Sequence, residues 1–207
     1  MGARSRSRVF IVSGPSGSGK STLVETLLKE VPNTMFSVSY TTRPPRAGEM
    51  EGREYHFVGR GTFEAMAARN EFLEWADVYG YLYGTHQGYV ARAEEQGKDL
   101  VLDIDVQGAQ QVKQRLPDAI AIFLAPPSRQ ELERRIRSRG LDADDVIQRR
   151  LQQALIEIRN CNRYDYIVLN DDLAQAKAEV RSIALAERCR TGARDDRVQE
   201  ILRSFGG

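Results

Sequence analysis

The amino-acid sequence predicts an α/β fold in which helices flank a parallel β-sheet, and three observations carry that prediction. The apolar run at residues 9–12 leads into Gly14-Pro15-Ser16-Gly17-Ser18-Gly19-Lys20-Ser21-Thr22, which contains the full pattern G-x-x-x-x-G-K-[ST]. Leu23, Val24, Leu27, Leu28 and Val31 then recur on one helical face up to Pro32. Further short apolar runs at 99–105, 119–124 and 164–169 each precede a helical pattern, as buried parallel strands do. With 207 residues and 41% hydrophobic content, the chain can bury one sizeable α/β core and still carry inserted subdomains.

The glycine-rich loop is where chemistry concentrates. At a helix N-terminus, free backbone N–H groups and the positive dipole end cradle anionic oxygens, and glycines let the backbone wrap phosphates without Cβ clashes. In this pattern Lys20 reaches the β- and γ-phosphates of a nucleotide, and the Ser21 hydroxyl ligates Mg2+. A Gly/Ser-rich linker would not be flanked so tightly by a strand and a helix.

Composition narrows the partners. A formal net charge of +1 argues against a general nucleic-acid or membrane-surface binder. No apolar run approaches the length of a membrane span. The basic start is not followed by a secretory apolar region, and Arg6 stands where a myristoylation signal after Gly2 wants Ser or Thr. Residues 1–8 are therefore expected to form a disordered leader. Cys161 and Cys189 have neither metal-ligand nor disulfide-framework spacing, which points to a reducing, cytoplasmic setting.

Residues 35–40 alternate with the period of a half-buried strand. The stretch 41–57 is too rich in Pro, Gly and charge to be core. In it Arg43 and Arg46 lie three apart on a proline-stiffened turn, with Tyr55 following, and can clamp a second phosphate bidentately; the other reading is a solvated loop. A short helix is expected at 62–68 and a strand at 71–76, before the aromatics and glycines of 79–85. This region can line a base pocket in which Glu74 accepts from adjacent N–H donors, as guanine offers on N1 and N2; adenine has an acceptor at N1 that a carboxylate repels. It reads equally as an aromatic hairpin with a surface glutamate.

Asp103 and Asp105 sit at the carboxyl end of their strand, the edge where ligands collect in open parallel sheets. They can meet Mg2+, its waters or a nucleotide, although Asp105 can simply cap the helix expected at 109–116. Ser128 and Glu131 form a capping box that starts a helix stopped by Gly140, and a second helix is expected from Asp142 through Ile158. Arg134, Arg135, Arg137, Arg139, Arg149 and Arg150 crowd this pair. Helix dipoles do not require so many cations, whereas a mobile lid over transferring phosphates does; a solvated face is the competing reading. The strand at 164–169 leads to Asn170 and a closing helix at 173–190, and the charged residues 191–207 can extend it. His56 and His86 are isolated and receive no catalytic role.

Taken in order, Gly14 to Thr22, the 37–46 segment with Arg43 and Arg46, Gly48-Glu49 through Tyr55, Glu71-Phe72-Leu73-Glu74-Trp75, Tyr83-Gly84-Thr85, Asp103-Ile104-Asp105-Val106-Gln107-Gly108 and Asn170-Asp171-Asp172 make the chain resemble guanylate kinases from about residue 8 to 190. These are P-loop nucleoside monophosphate kinases that convert GMP and ATP to GDP and ADP. The resemblance implies a core of parallel sheet at 9–36, 91–128 and 152–190, a small mixed α/β GMP-binding subdomain at 37–90, and a helical lid at 129–151. Residues 191–207 fall outside it as a charged extension.

Carried over by position, Ser39, Glu74 and Thr85 resemble guanine-reading residues, with Gly84 beside them, and Arg43, Arg46, Tyr55 and Tyr83 resemble the GMP-phosphate clamp. Asp103 is similar to a residue on the GMP side that also approaches Mg2+ through water. Lys20 with Arg43, Arg135, Arg139 and Arg150 resembles the catalytic cations, and residues Gly14, Pro15, Ser16, Gly17, Ser18, Gly19, Ser21 and Thr22 with Asn170 resemble the ATP site. The implied partners are ATP-Mg2+ and GMP, with dGMP as a further acceptor, in a monomer or homo-oligomer that binds neither nucleic acid nor membrane. Two alternatives remain at this level. One is a guanylate-kinase-like interaction module, a class that typically loses the loop lysine. The other is a kinase for another nucleoside monophosphate, which the chemistry at Glu74 and Ser39 discriminates.

Overall fold

The computed structural model describes residues 7–138 and 143–206, and for 193, 195 and 196 the backbone alone. Residues 1–6 of the expected leader, together with Arg139, Gly140 and Asp142 of the expected lid, lie outside the described residues. In chain order the first elements are β1 (Val9–Ser13), α1 (Lys20–Glu30), β2 (Thr34–Phe36), β3 (Tyr40–Thr41), β4 (His56–Phe57) and α2 (Arg60–Ala68). There follow β5 (Phe72–Val78), β6 (Tyr81–His86), α3 (Gly88–Gln96), β7 (Asp99–Asp103), α4 (Val106–Arg115) and β8 (Ile120–Ala125). The chain ends through α5 (Arg129–Arg137), α6 (Asp144–Arg159), β9 (Tyr166–Leu169), α7 (Leu173–Glu187) and α8 (Thr191–Ser204).

Five strands form a parallel sheet in the order β2-β7-β1-β8-β9, as the continuous apolar strands predict. Alternate residues of β1 feed opposite faces. Phe10 and Val12 pack with Leu23 and Leu27 of α1 and Val180 of α7, while Ile11 packs with Leu102, Val112 of α4 and Ala93 of α3. This register brings Ser13, Asp103 and the start of the phosphate loop to one edge of the sheet.

A second sheet, β4-β3-β6-β5, mixes one parallel pair with antiparallel ones and is closed underneath by Phe63 and Met66 of α2 against Phe72 and Leu82. The expected single strand at 35–40 is split between the two sheets. β2 pairs with β7, Ser37 N–H still donates to the Val101 carbonyl, and the chain then crosses so that β3 joins β4 and β6. The alternation of Phe36, Ser37, Val38 and Ser39 marks extended backbone in transit, not one ladder.

Helices α5 and α6 form a hairpin around Leu132, Ile136, Ile147 and Leu151. The capping box is half realised. Ser128 Oγ accepts from the Glu131 N–H at 3.1 Å, but the Glu131 carboxylate turns to Arg134 and Arg135. Helix α3, absent from the sequence expectations, straddles the expected boundary at 90 and packs Tyr89, Val90 and Ala93 on the core. Arg8 belongs to the folded body and not to a leader: its carbonyl accepts from Leu100 N–H and its guanidinium pairs with Asp99.

Candidate active site

A cleft of about 570 Å³ opens between the carboxyl edge of the core sheet, the second sheet and α6. One wall is the loop between β1 and α1. Two of the loop glycines are dictated by geometry. At Gly14 (φ +141°) a Cβ would sit 2.4 Å from the Leu124 carbonyl, and at Gly19 (φ +101°) it would sit 2.5 Å from Asn170 Nδ2. Lys20 Nζ donates to the Gly14 carbonyl at 2.7 Å and to the Pro15 carbonyl at 3.3 Å, so its ammonium is held across the mouth of the loop. Ser21 and Asp103 both line the cleft beside it, and burial pushes the Asp103 carboxyl up against the opposing pull of Lys20 and Ser21.

Among the described residues no cluster of three or more His, Cys, Asp or Glu side chains can hold a metal alone. The Ser21–Asp103 pair nonetheless supplies hard oxygen donors of the kind Mg2+ takes together with water and phosphate oxygens.

Asn170 and Arg135 stand behind the loop, not in the cleft. Asn170 Nδ2 donates to the Ser18 carbonyl at 2.6 Å, and Arg135 donates to the Asn170 carbonyl at 3.0 Å and the Ser18 carbonyl at 3.5 Å. With Gly19 lacking a Cβ, the Asn170 amide fits under the loop and buttresses it. Leu132 and Ile136 of α5 press on the loop at Gly17. Arg150 does line the cleft, with its guanidinium over the Tyr79 ring 5.5 Å from the centroid.

On the opposite wall Arg43, only 8% exposed, is held on every side. It donates to both Glu49 carboxylate oxygens at 2.8 and 2.9 Å, to the Tyr83 hydroxyl at 3.2 Å and to the Pro44 carbonyl at 2.8 Å, and it lies 5.4 Å from the Tyr55 ring centroid. Glu49 also accepts from the Arg46 backbone N–H at 2.7 Å, so one carboxylate ties the Arg43 guanidinium to the main chain at Arg46. Burial and the neighbouring Asp103 push the Tyr55 phenol up to about 12.

Glu74 is 3% exposed. It accepts from Thr85 Oγ1 at 2.6 Å, and burial pushes its carboxyl up to about 7. A register shift between Phe72 and Glu74 turns Glu74 inward, as a bulge beside a site does. The surface-glutamate reading of the hairpin is thus overturned, although β5 and β6 do form a hairpin turned at Tyr79 and Gly80. Gly84 packs against Phe63 and Phe72, each 3.0 Å from where its Cβ would be. Ser39 lines the cleft beside Glu74. Residues without an expected role also line it, notably Gln153 and Glu157 of α6, one turn apart. Asp105 lines it too and caps α4, accepting from Gly108 N–H at 2.7 Å.

The guanylate kinase family model matches residues 6–187. The chain belongs to the guanylate kinase family. A guanylate kinase of Koribacter versatilis is 55% identical over 185 residues, 88% of this chain and 79% of that protein. One from Chromobacterium violaceum is 48% identical over 198 residues, 96% of this chain and 94% of that one. The crystal structure of guanylate kinase from Anaplasma phagocytophilum superposes with a TM-score of 0.77 at 32% identity, covering 92% of this chain and 90% of that one. As a guanylate kinase the chain catalyses ATP-dependent phosphorylation of GMP. Among the described residues no helix is long and apolar enough to cross a membrane.

Proposed function

We propose that the cleft divides the reaction between two phosphate-binding walls, with ATP-Mg2+ on the loop and GMP on the second sheet. The observation that carries this is the Arg43, Tyr55 and Tyr83 cluster opening into the same cleft as Lys20 and Ser21, with Asp103 between them. In this reading the core at 9–36, 91–128 and 152–190 holds the donor, 37–90 holds the acceptor, and 129–151 closes over both. Arg43, Arg46, Tyr55 and Tyr83 bind the GMP phosphate, with Glu49 yielding Arg43 to it. Ser39, Glu74 and Thr85 read guanine.

Ser21 and Asp103 would hold Mg2+, and the ion would neutralise phosphate charge when bound. The nucleophile is a GMP phosphate oxygen that is already anionic near neutral pH, so no general base is required. Lys20, Arg43 and Arg150 position the reacting groups and stabilise the charge on the transferring phosphoryl group. Arg135 contributes by fixing the loop. The cytoplasm is the proposed setting, in keeping with free Cys161 and Cys189. A coupled ADP-release assay with ATP-Mg2+ and GMP, dGMP, AMP, UMP and CMP tests the reading. Turnover with GMP and dGMP is expected, and equal turnover with AMP would refute the guanine pocket.

A further inference from the structure

Helix α4 belongs to the core, yet one of its faces is bolted to β5 of the acceptor sheet. Gln111 makes a reciprocal amide pair with Trp75, accepting from its N–H at 3.3 Å and donating to its carbonyl at 2.8 Å. Arg115 donates to the Phe72 carbonyl at 2.6 Å. Gly108, Gln111 and Arg115 are spaced i, i+3 and i+7, so they share that face. At its first turn the face meets Glu74. A Cβ on Gly108 would lie 2.4 Å from Glu74 Oε2, 3.0 Å from its Cδ and 3.2 Å from Asp105 Oδ1.

Glycine inside a helix is unfavourable relative to alanine, and Gly108 has ordinary helical backbone, so conformational freedom does not account for it. Close approach does. Thr85 holds Glu74 Oε1 from one side, and the bare backbone of Gly108 bounds Oε2 from the other.

We infer that Gly108 is a positioning residue for acceptor selection, setting where the Glu74 carboxylate stands by having no side chain of its own. The inference rests on the proposed reading of Glu74 as the guanine contact. A methyl group at 108 forces Oε2 to retreat by roughly 1 Å to reach ordinary contact, a displacement large enough to break a two-point hydrogen-bonding geometry.

The test is a double-mutant cycle on the full chain, with GMP and ATP dissociation constants measured by calorimetry and thermal melts run on each protein. Gly108→Ala is expected to weaken GMP binding at least tenfold, to raise KM for GMP more than it lowers kcat, and to leave ATP binding within twofold. In the Glu74→Ala background, where only the 3.2 Å approach to Asp105 Oδ1 remains, the same substitution is expected to change GMP binding less than twofold. Unchanged GMP binding in Gly108→Ala overturns the inference, and so does an equal loss in both backgrounds or a parallel loss of ATP binding. Unchanged GMP binding in Glu74→Ala alone overturns the guanine reading and the inference with it. If Gly108→Ala fails to fold while Gly108→Ala/Glu74→Ala folds, the clash is confirmed; if neither folds, the inference falls.

Discussion

Glu74 sets stability against function, and the conflict is measurable. Burial raises its carboxyl from 4.5 to about 7, so the folded protein binds this proton more tightly than the unfolded chain does. As pH rises from 4.5 to 7 the unfolded chain releases the proton first, and folding stability falls through that window and levels off above it. At about 1.4 kcal/mol per pH unit the loss amounts to about 3 kcal/mol. Glu74→Gln keeps the shape and the acceptor for Thr85 Oγ1 but removes the titration. Of the other buried carboxyls, Asp103 and Glu157 are shared by both proteins and cancel in the difference, whereas the charge of Asp105 is part of the push on Glu74 that the substitution removes. Urea unfolding without nucleotide at half-unit steps from pH 4.5 to 8 should show the variant gaining about 3 kcal/mol on the parent across the window, while its GMP affinity drops. A difference that stays flat with pH, or shrinks as pH rises, would refute the desolvated carboxylate.

The same group makes GMP binding pH-dependent. The carboxylate form is needed to accept from guanine, so GMP affinity should fall about tenfold per unit below pH 7, with proton release visible in calorimetry across buffers of different ionisation enthalpy. Lys20→Met should lower turnover by about two orders of magnitude or more in the coupled assay and leave GMP binding near normal, because its contacts all lie on the donor side. Gly19→Ala should abolish ATP binding and destabilise the fold by about 2 kcal/mol in thermal or urea unfolding, since it strains a positive φ and dislodges Asn170 from Ser18.

Local chemistry made much of the molecule legible. Apolar runs such as residues 9–12 encode strands buried on both faces, and the phosphate loop between β1 and α1 announces itself because glycine and lysine are required there by geometry. Arg43, Arg46, Tyr55 and Glu74 stand out in the sequence as candidates because charged and aromatic residues cluster there with proline and glycine, but the burial of Arg43 and Glu74 was not legible in it. What escaped depends on contacts distant in sequence. Asn170 reaches Ser18 across 152 positions, and nothing near Asn170 reveals which carbonyl it will hold. The crossing at residues 37–39 keeps strand-like alternation while changing sheets, because extended backbone looks alike whichever ladder receives it. Helix α3 shows only a narrow apolar face of Tyr89, Val90 and Ala93, too short for periodicity to register.

The way the acceptor sheet is inserted bears on how the chain can be rebuilt. It leaves the core after β2 and returns through α3, and both elements pack beside β7, so its two ends are anchored at neighbouring points of one scaffold. A segment attached in this manner is exchangeable in principle as a cassette, with the donor chemistry left in place. The bolts from Gln111 and Arg115, and the bare spot at Gly108, set the condition. A transplanted sheet must bring the face of α4 that meets β5 with it, or its buried carboxylate at position 74 will arrive out of line.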